Sequence, residues 1–380
     1  MDTRREFLRK TAAGGIAGIV ASGAAPAYSK DRREKKNGIS LEQAQEVHDK
    51  CLIIDGHNDT PVERVARGER PFNWKQRDPE YHTDIPRMKE GGYDAAFMIV
   101  GNGLIANVWV TTERILTQID AYPEDLMLVL SSKDVLRAQK TGKIGVILSI
   151  EGAAKWLTGE ADILRYLHRH GLRLLGISHG EGGDDPTFLQ GTKSLYRPCT
   201  LAEREDDRKN AGGLTPFGFE VLKVSNELGI VTDLSHINDK AFYEVMEHSS
   251  LPPIMSHTAV FALCQHARCM TDDQLKALAS VGGAMGVAFA PQFIDNDPVK
   301  GTIDRFTEHI CYVADLVGID YVAIGTDYDG LGRVTIPIVP EVSQLVHLTH
   351  SMMAYGLSEG EIKKVWGGNF LRILQKTIDS

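Results

Sequence analysis

His57 and Asp59 stand two residues apart, directly after the apolar run Leu52-Ile53-Ile54-Asp55. In an extended backbone residues i and i+2 share a side, so one cation can receive an imidazole nitrogen and a carboxylate oxygen from this pair. That mixed ligand set suits Zn2+ and related divalent metals. Alone the pair is weak, because a histidine after a strand is commonly a hydrogen-bonded structural residue. Its weight comes from its company. IGVILSI ends in Glu151, LRLLGIS in His179, IVTDLS in His236, IMS in His257 and VAIGT in Asp327. One catalytic zinc needs only about three protein ligands. This set is enough for two cations roughly 3.5–4 Å apart joined by a bridging carboxylate, for which Glu151 is the candidate. A hydroxide shared by two cations is a strong nucleophile near neutral pH, and hydrolysis of an unactivated bond is its natural use. No G-x-S-x-G elbow, Walker loop or G-x-G-x-x-G after a strand offers a competing chemistry.

The elements that must position these residues are short apolar runs alternating with helix-period segments. The pattern predicts strands at Leu52–Asp55, Ala95–Val100, Ile144–Ile150, Leu172–Ser178, Ile230–Ser235, Ile254–Ser256, Ala284–Phe289 and Val322–Thr326. Several are rich in β-branched residues without polar alternation, as expected for strands buried on both faces. Helix starts are marked by Thr215-Pro216, Asn238-Asp239 and Thr271-Asp272-Asp273, and two further helices are expected past Val342, the second including Glu359 to Trp366. Eight strands alternating with helices predict a (β/α)8 TIM barrel with its metal site at the C-terminal edge of the strands, where active sites of such barrels lie. A doubly wound open sheet is the competing architecture.

The ends and the composition bound the rest. Residues 1–27 read as a leader: Arg4-Arg5 followed by Phe7-Leu8, a weakly apolar Ala/Gly stretch, then Ala25-Pro26-Ala27. The paired arginines look like a twin-arginine export signal, which predicts a periplasmic or secreted enzyme that is not membrane-inserted after cleavage. A single membrane anchor is the alternative, but the uncharged span is too feebly hydrophobic for a good spanning helix. Residues 28–50 read as a lead-in and 51–380 as the barrel with C-terminal helices. The net charge is -9, and -11 without the leader's four basic and two acidic groups, which argues against nucleic acid or an anionic membrane as partner. The five cysteines are scattered without CxxC spacing, so neither a thiolate zinc site nor a disulfide framework is indicated, although Cys264 and Cys269 could pair. The long stretch 180–213, with its charged run Glu203 to Lys209, is either a solvated excursion or a lid.

The stretches IIDGHNDTP, HTDIPRMKEGGYDAAF, SIEG, GISH, GGLTPFG, VTDLSH, IMSHTA, IGTDYDG and GGNFLRIL, in this order, resemble the membrane (renal) dipeptidases, peptidase family M19, among the amidohydrolase-like barrels. The resemblance implies one zinc held by His57, Asp59 and Glu151 and a second held by Glu151, His236 and His257. It implies that His179 binds substrate and stabilises the oxyanion, that Arg268 takes the substrate's free carboxylate, and that Asp327 shuttles the proton of the bridging water to the leaving amine. A homodimer is implied too, with no feature marking the pairing face. Three departures stand out. Cys269 replaces the usual Asn after the arginine, GAAKW follows Glu151, and Ala290-Pro291 stands where a pocket tyrosine is common. Asp329, two after Asp327, has ligand-pair spacing but is left outside the ligand set. His82, His168, His170, His248, His266 and His309 are read as structural or surface residues.

The resulting expectation is a binuclear zinc dipeptidase acting on dipeptides, including those with a C-terminal D-residue. The alternatives are an amidohydrolase for another amide (an N-acyl amino acid, lactam or cyclic imide) and a metal-bound sensing protein without turnover.

Overall fold

The computed structural model describes residues 38–379 except 70–71, 103–107, 154–156, 158, 180–196 and 333. The expected leader, the first ten residues of the lead-in, the last three of GAAKW and the first half of 180–213 thus lie outside the described residues.

The strands are β1 Ile54–Asn58, β2 Ala95–Gly101, β3 Leu126–Leu128, β4 Ile144–Ile150, β5 Leu172–Gly176, β6 Val231–Asp233, β7 Ile254–Thr258, β8 Ala284–Val287 and β9 Val322–Ile324. All pairings are parallel, in the order β1-β2-β4-β5-β6-β7-β8-β9. The path closes through an Asn58–Tyr328 bridge, with Asp59 N–H donating to Tyr328 O at 2.9 Å and Asp327 N–H to His57 O at 3.1 Å. The expected (β/α)8 barrel is the observed fold. β3 was not anticipated. Only three residues long, it pairs with Ile144–Val146 of β4 on the side where β5 joins only from Leu148. Strands β5, β6, β8 and β9 also end two residues before their predicted limits, because the backbone leaves the ladder where the rim residues begin.

The helix punctuation is as read. Thr215 accepts from Gly218 N–H at the start of Pro216–Leu228, and Gly229 ends that helix at φ 68. Asn238 caps Asp239–His248, and Thr271 forms a capping box with Gln274 on Asp272–Ser280. The C-terminal expectation needs amending. Glu359–Lys363 and Asn369–Thr377 are joined by one π-helical turn, Lys364–Gly368, where a Cβ on Gly367 would stand 2.3 Å from Leu52 O.

One buried cluster takes Ile54, Ala95, Phe97, Ile147, Leu174, Val231, Ile254, Ala284 and Ala323 from the eight path strands, together with Phe370, Ile373 and Leu374 of the last helix. This is the lumen, stoppered at the N-terminal end of the strands. Higher up, branched side chains give way to backbone. A Cβ on Gly56, Gly286 or Gly325 would stand 2.8, 2.1 or 1.8 Å from the carbonyl oxygen of Ser256. Glycines on β1, on β8 and just after β9 therefore let β7 lean across the lumen onto β1.

Candidate metal centre

The seven rim residues named from sequence, from His57 to Asp327, come together, with four histidines around Glu151 and Asp59 and Asp327 beside His57. His236 Nε2 lies 3.0 Å, His257 Nε2 3.3 Å and His57 Nε2 3.7 Å from its Oε1, while His179 Nε2 lies 3.3 Å from its Oε2. Asp59 Oδ2 is 3.1 Å from His57 Nε2. Three overlapping sets have ligand atoms within 4.8 Å of one another: His57, Glu151 and His257; Glu151, His179 and His236; His57, Asp59 and Asp327. The route to the His57–Asp59 contact differs from the extended pair first envisaged. β1 ends at Asn58, and Asp59 has φ -93 and ψ -2 as the residue before helix Thr60–Ala66.

These residues fit divalent cations. Among the described residues, buried His57 Nε2 and Asp59 Oδ1 have no hydrogen-bond partner, and Nε2 atoms of His236 and His257 face each other at 3.0 Å. Burial opposes charge on His57, yet Asp59 and Glu151 outweigh it and raise the imidazole to about 10. Burial pushes Glu151 well above the carboxylate range and drives His236 and His257 well below the usual imidazole value. Burial likewise raises Asp327 to about 7, against the pull of His57, and lowers His179 to about 4.

Several contributors escaped the sequence reading. Asp55 accepts from His57 N–H (3.2 Å), Thr326 N–H (2.7 Å), the Thr326 hydroxyl (2.7 Å) and the Tyr93 hydroxyl, tying β1 to the chain after β9 under the ligands. Asp233 and Ser256 form a second buried network behind the histidines. Gly330 is required for space, since a Cβ there would stand 2.3 Å from Asp327 Oδ1 and 2.5 Å from Asp59 Oδ2. Asp55, Asp233, Ser256 and Gly330 all lie inside motifs already noted. The usable signal was a polar residue within or beside an otherwise apolar strand.

Asp329 is engaged elsewhere, accepting from the Thr60 hydroxyl and from His82 N–H at 3.1 Å, with His82 Nδ1 2.6 Å away. His309 is structural: Val260 N–H donates to its Nδ1 and its Nε2 meets Ile294 O at 2.9 Å. His266 Nδ1 accepts from Arg268 N–H at 3.2 Å, in the loop that carries the arginine. All five cysteines are buried free thiols, Cys264 and Cys269 included.

Arg268 is buried over the Phe293 ring, 5.5 Å from its centroid. Its Nη2 donates to His257 O at 3.2 Å, its Nε has no hydrogen-bond partner, and no carboxylate pairs with it among the described residues. Phe293 belongs to the short helix Pro291–Ile294 opened by the departure at Ala290-Pro291. The described second half of 180–213 is exposed over most of its length but is anchored at one point. Leu201–Asn210 is a helix whose buried Arg204 pairs with Asp239 at 2.9 Å and donates to Cys269 O. It docks the helix against the Arg268 loop.

A model of the membrane dipeptidase family, peptidase family M19, matches residues 41–379. The dipeptidase tcpJ of Claviceps purpurea is 25% identical over 345 residues, 86% of this chain and 77% of that protein. Among solved structures, a family M19 metallopeptidase called dipeptidase AC is 26% identical with a TM-score of 0.75, covering 86% of this chain and 99% of its own. A metallopeptidase from Rhodobacter sphaeroides, bound to a phosphinate mimic of the dipeptide L-Ala-D-Ala, is 25% identical with a TM-score of 0.72 over 86% and 99%. With the family match spanning nearly the whole described chain, this barrel belongs to the membrane dipeptidases of peptidase family M19 and is a metallo-dipeptidase.

Proposed function

We propose that the chain hydrolyses dipeptides at a centre of two zinc ions, one held by His57, Asp59 and Glu151 and the other by Glu151, His236 and His257. The observation that carries this reading is the aim of three Nε2 atoms, from β1 and from the ends of β6 and β7, at one oxygen of Glu151. When bound, the ions supply an acidified water and a polarised carbonyl. The chain's own residues do the rest. Asp327 takes the proton of the attacking water and returns it to the leaving amine. His179, kept neutral by burial, donates one N–H to the carbonyl oxygen as negative charge develops there. Arg268 receives the substrate carboxylate in a buried, charge-assisted pair, which limits substrates to short peptides with a free C-terminus. The L-Ala-D-Ala mimic on the Rhodobacter sphaeroides relative supports a D-residue in the second position.

The test is metal analysis of the full chain with a mixed-chirality dipeptide panel, on wild type and Arg268→Ala. About two zinc ions per chain are expected, with L-Ala-D-Ala among the substrates. Arg268→Ala is expected to lose about 2–5 kcal/mol in kcat/KM for dipeptides. Unchanged dipeptide turnover in that variant would remove the carboxylate anchor and favour another amide as substrate.

A further inference from the structure

The Ser256 hydroxyl touches both halves of the centre. Its Oγ lies 2.8 Å from Nδ1 of His257, 3.3 Å from Nδ1 of His57 and 2.5 Å from Oδ2 of Asp233. Its proton can be assigned by elimination. Oδ1 of Asp233 already accepts from Ser235 N–H (3.1 Å), Ser256 N–H (2.8 Å) and the Ser235 hydroxyl (3.0 Å). Oδ2 therefore accepts the one proton of Ser256. The Ser235 oxygen, 3.1 Å from Ser256 Oγ, accepts His257 N–H at 3.2 Å and does not compete for that proton. With its proton committed, Ser256 Oγ can only accept, so both imidazoles must present N–H at Nδ1. Nε2, the atom facing Glu151, is then the nitrogen each ring would offer to a metal, which would take the lone pair there in place of any proton.

Histidines that bind metals usually fix their tautomer through one outer partner each. Here one hydroxyl serves two rings on strands that are not neighbours in the sheet. We propose that Asp233 and Ser256 act as a single positioning unit that sets the tautomers of His57 and His257 together, so that the two metal positions are filled or lost as a pair. This rests on the binuclear reading above.

Asp233→Asn is the sharpest probe, because Asp233 touches neither ligand ring. The three donors at Oδ1 keep the amide oxygen there, so the amide nitrogen faces Ser256. Ser256 then turns its proton toward the two imidazoles in alternation; whichever Nδ1 accepts, that ring carries its own proton at Nε2, where it blocks the metal, so both positions are weakened. Zn2+ is titrated into the metal-free full chain against a competing chelator. Wild type should take two equivalents, and both should weaken together by about 10–100-fold in Asp233→Asn and Ser256→Ala. In zinc-loaded, histidine-15N-labelled protein, slowly exchanging Nδ1–H signals of His57 and His257 should be present in wild type and lost in Ser256→Ala. If Ser256→Ala fails to fold, Asp233→Asn carries both measurements. Weakening of one equivalent alone, or persistence of both N–H signals, would overturn the coupling and leave the binuclear reading standing. A wild type that takes fewer than two equivalents would overturn that reading and the coupling with it.

Discussion

Two residues that face the centre occupy backbone conformations that non-glycine residues avoid: His236 at φ 67 and Asp327 at φ 60. Such residues persist only where surrounding structure holds them, and they cluster at working sites. At Asp327 the constraint helps the experiment. Asn tolerates the left-handed region almost as well as Asp, so Asp327→Asn tests charge rather than shape. We expect kcat for dipeptides to fall about a hundredfold to ten-thousandfold with zinc content unchanged. Loss of zinc instead, seen by metal analysis of the purified variant, would make Asp327 a ligand rather than the proton carrier. Ligand types and their order along the chain were legible because each stands just after an apolar run, so the strand end and the chemistry mark the same position. The left-handed turns were not, since nothing in IVTDLSH distinguishes a histidine that continues the strand from one that leaves it. Asp233 and Ser256 were hidden for the same reason. A polar residue inside a strand declares its role only when its neighbour across the sheet is known.

At the scale of elements, the apolar runs and the caps carried the most information. β4 was read to the residue because IGVILSI is buried throughout its length. β3 was missed because three residues, Leu-Met-Leu, carry no period and pair with only one other strand. Turn residues after the strands are constrained more tightly than composition suggests. The turn after β9 passes so close to the ligands that Gly330 has no room for a methyl group. Gly330→Ala is expected to displace the Asp59 and Asp327 carboxylates and cost at least one of the two zinc ions proposed above, while the far-ultraviolet circular dichroism stays that of the wild type. Full zinc occupancy in the variant, by metal analysis, would show that the turn can yield.

For the whole molecule, the catalytic rim and the stoppered end of the barrel answer to pH separately. Asp94 lies at the stoppered end, just before β2, where its Oδ2 accepts Ile53 N–H at 2.8 Å and Gln139 Nε2 at 3.4 Å. Burial raises its carboxyl to about 7, more than these hydrogen bonds lower it. Below pH 4 the group is protonated in folded and unfolded chains alike. Between about 4 and 7 the unfolded chain has released the proton and the folded chain keeps it. Stability from this group therefore falls as pH rises through that window and is lowest above 7. Asp94→Asn keeps an acceptor without the charge, so its advantage over wild type in urea unfolding should grow by on the order of 3 kcal/mol from pH 4 to pH 8. A constant difference across that range would show that Asp94 ionises freely. The fold class was legible because alternation of runs and helices is a property of the whole chain. The closeness of β7 to β1 was not, because a glycine in a strand does not announce which carbonyl it makes room for. That closeness has a consequence for design. Gly56, Gly286 and Gly325 hold the Ser256 carbonyl at the thickness of bare main chain, so the span across the rim is gauged by peptide planes rather than by the side chains that do the binding. Ligands could be exchanged at the mouth of this barrel to suit another metal, and the gauge would stay the same. Widening it would take a methyl group on one of three glycines.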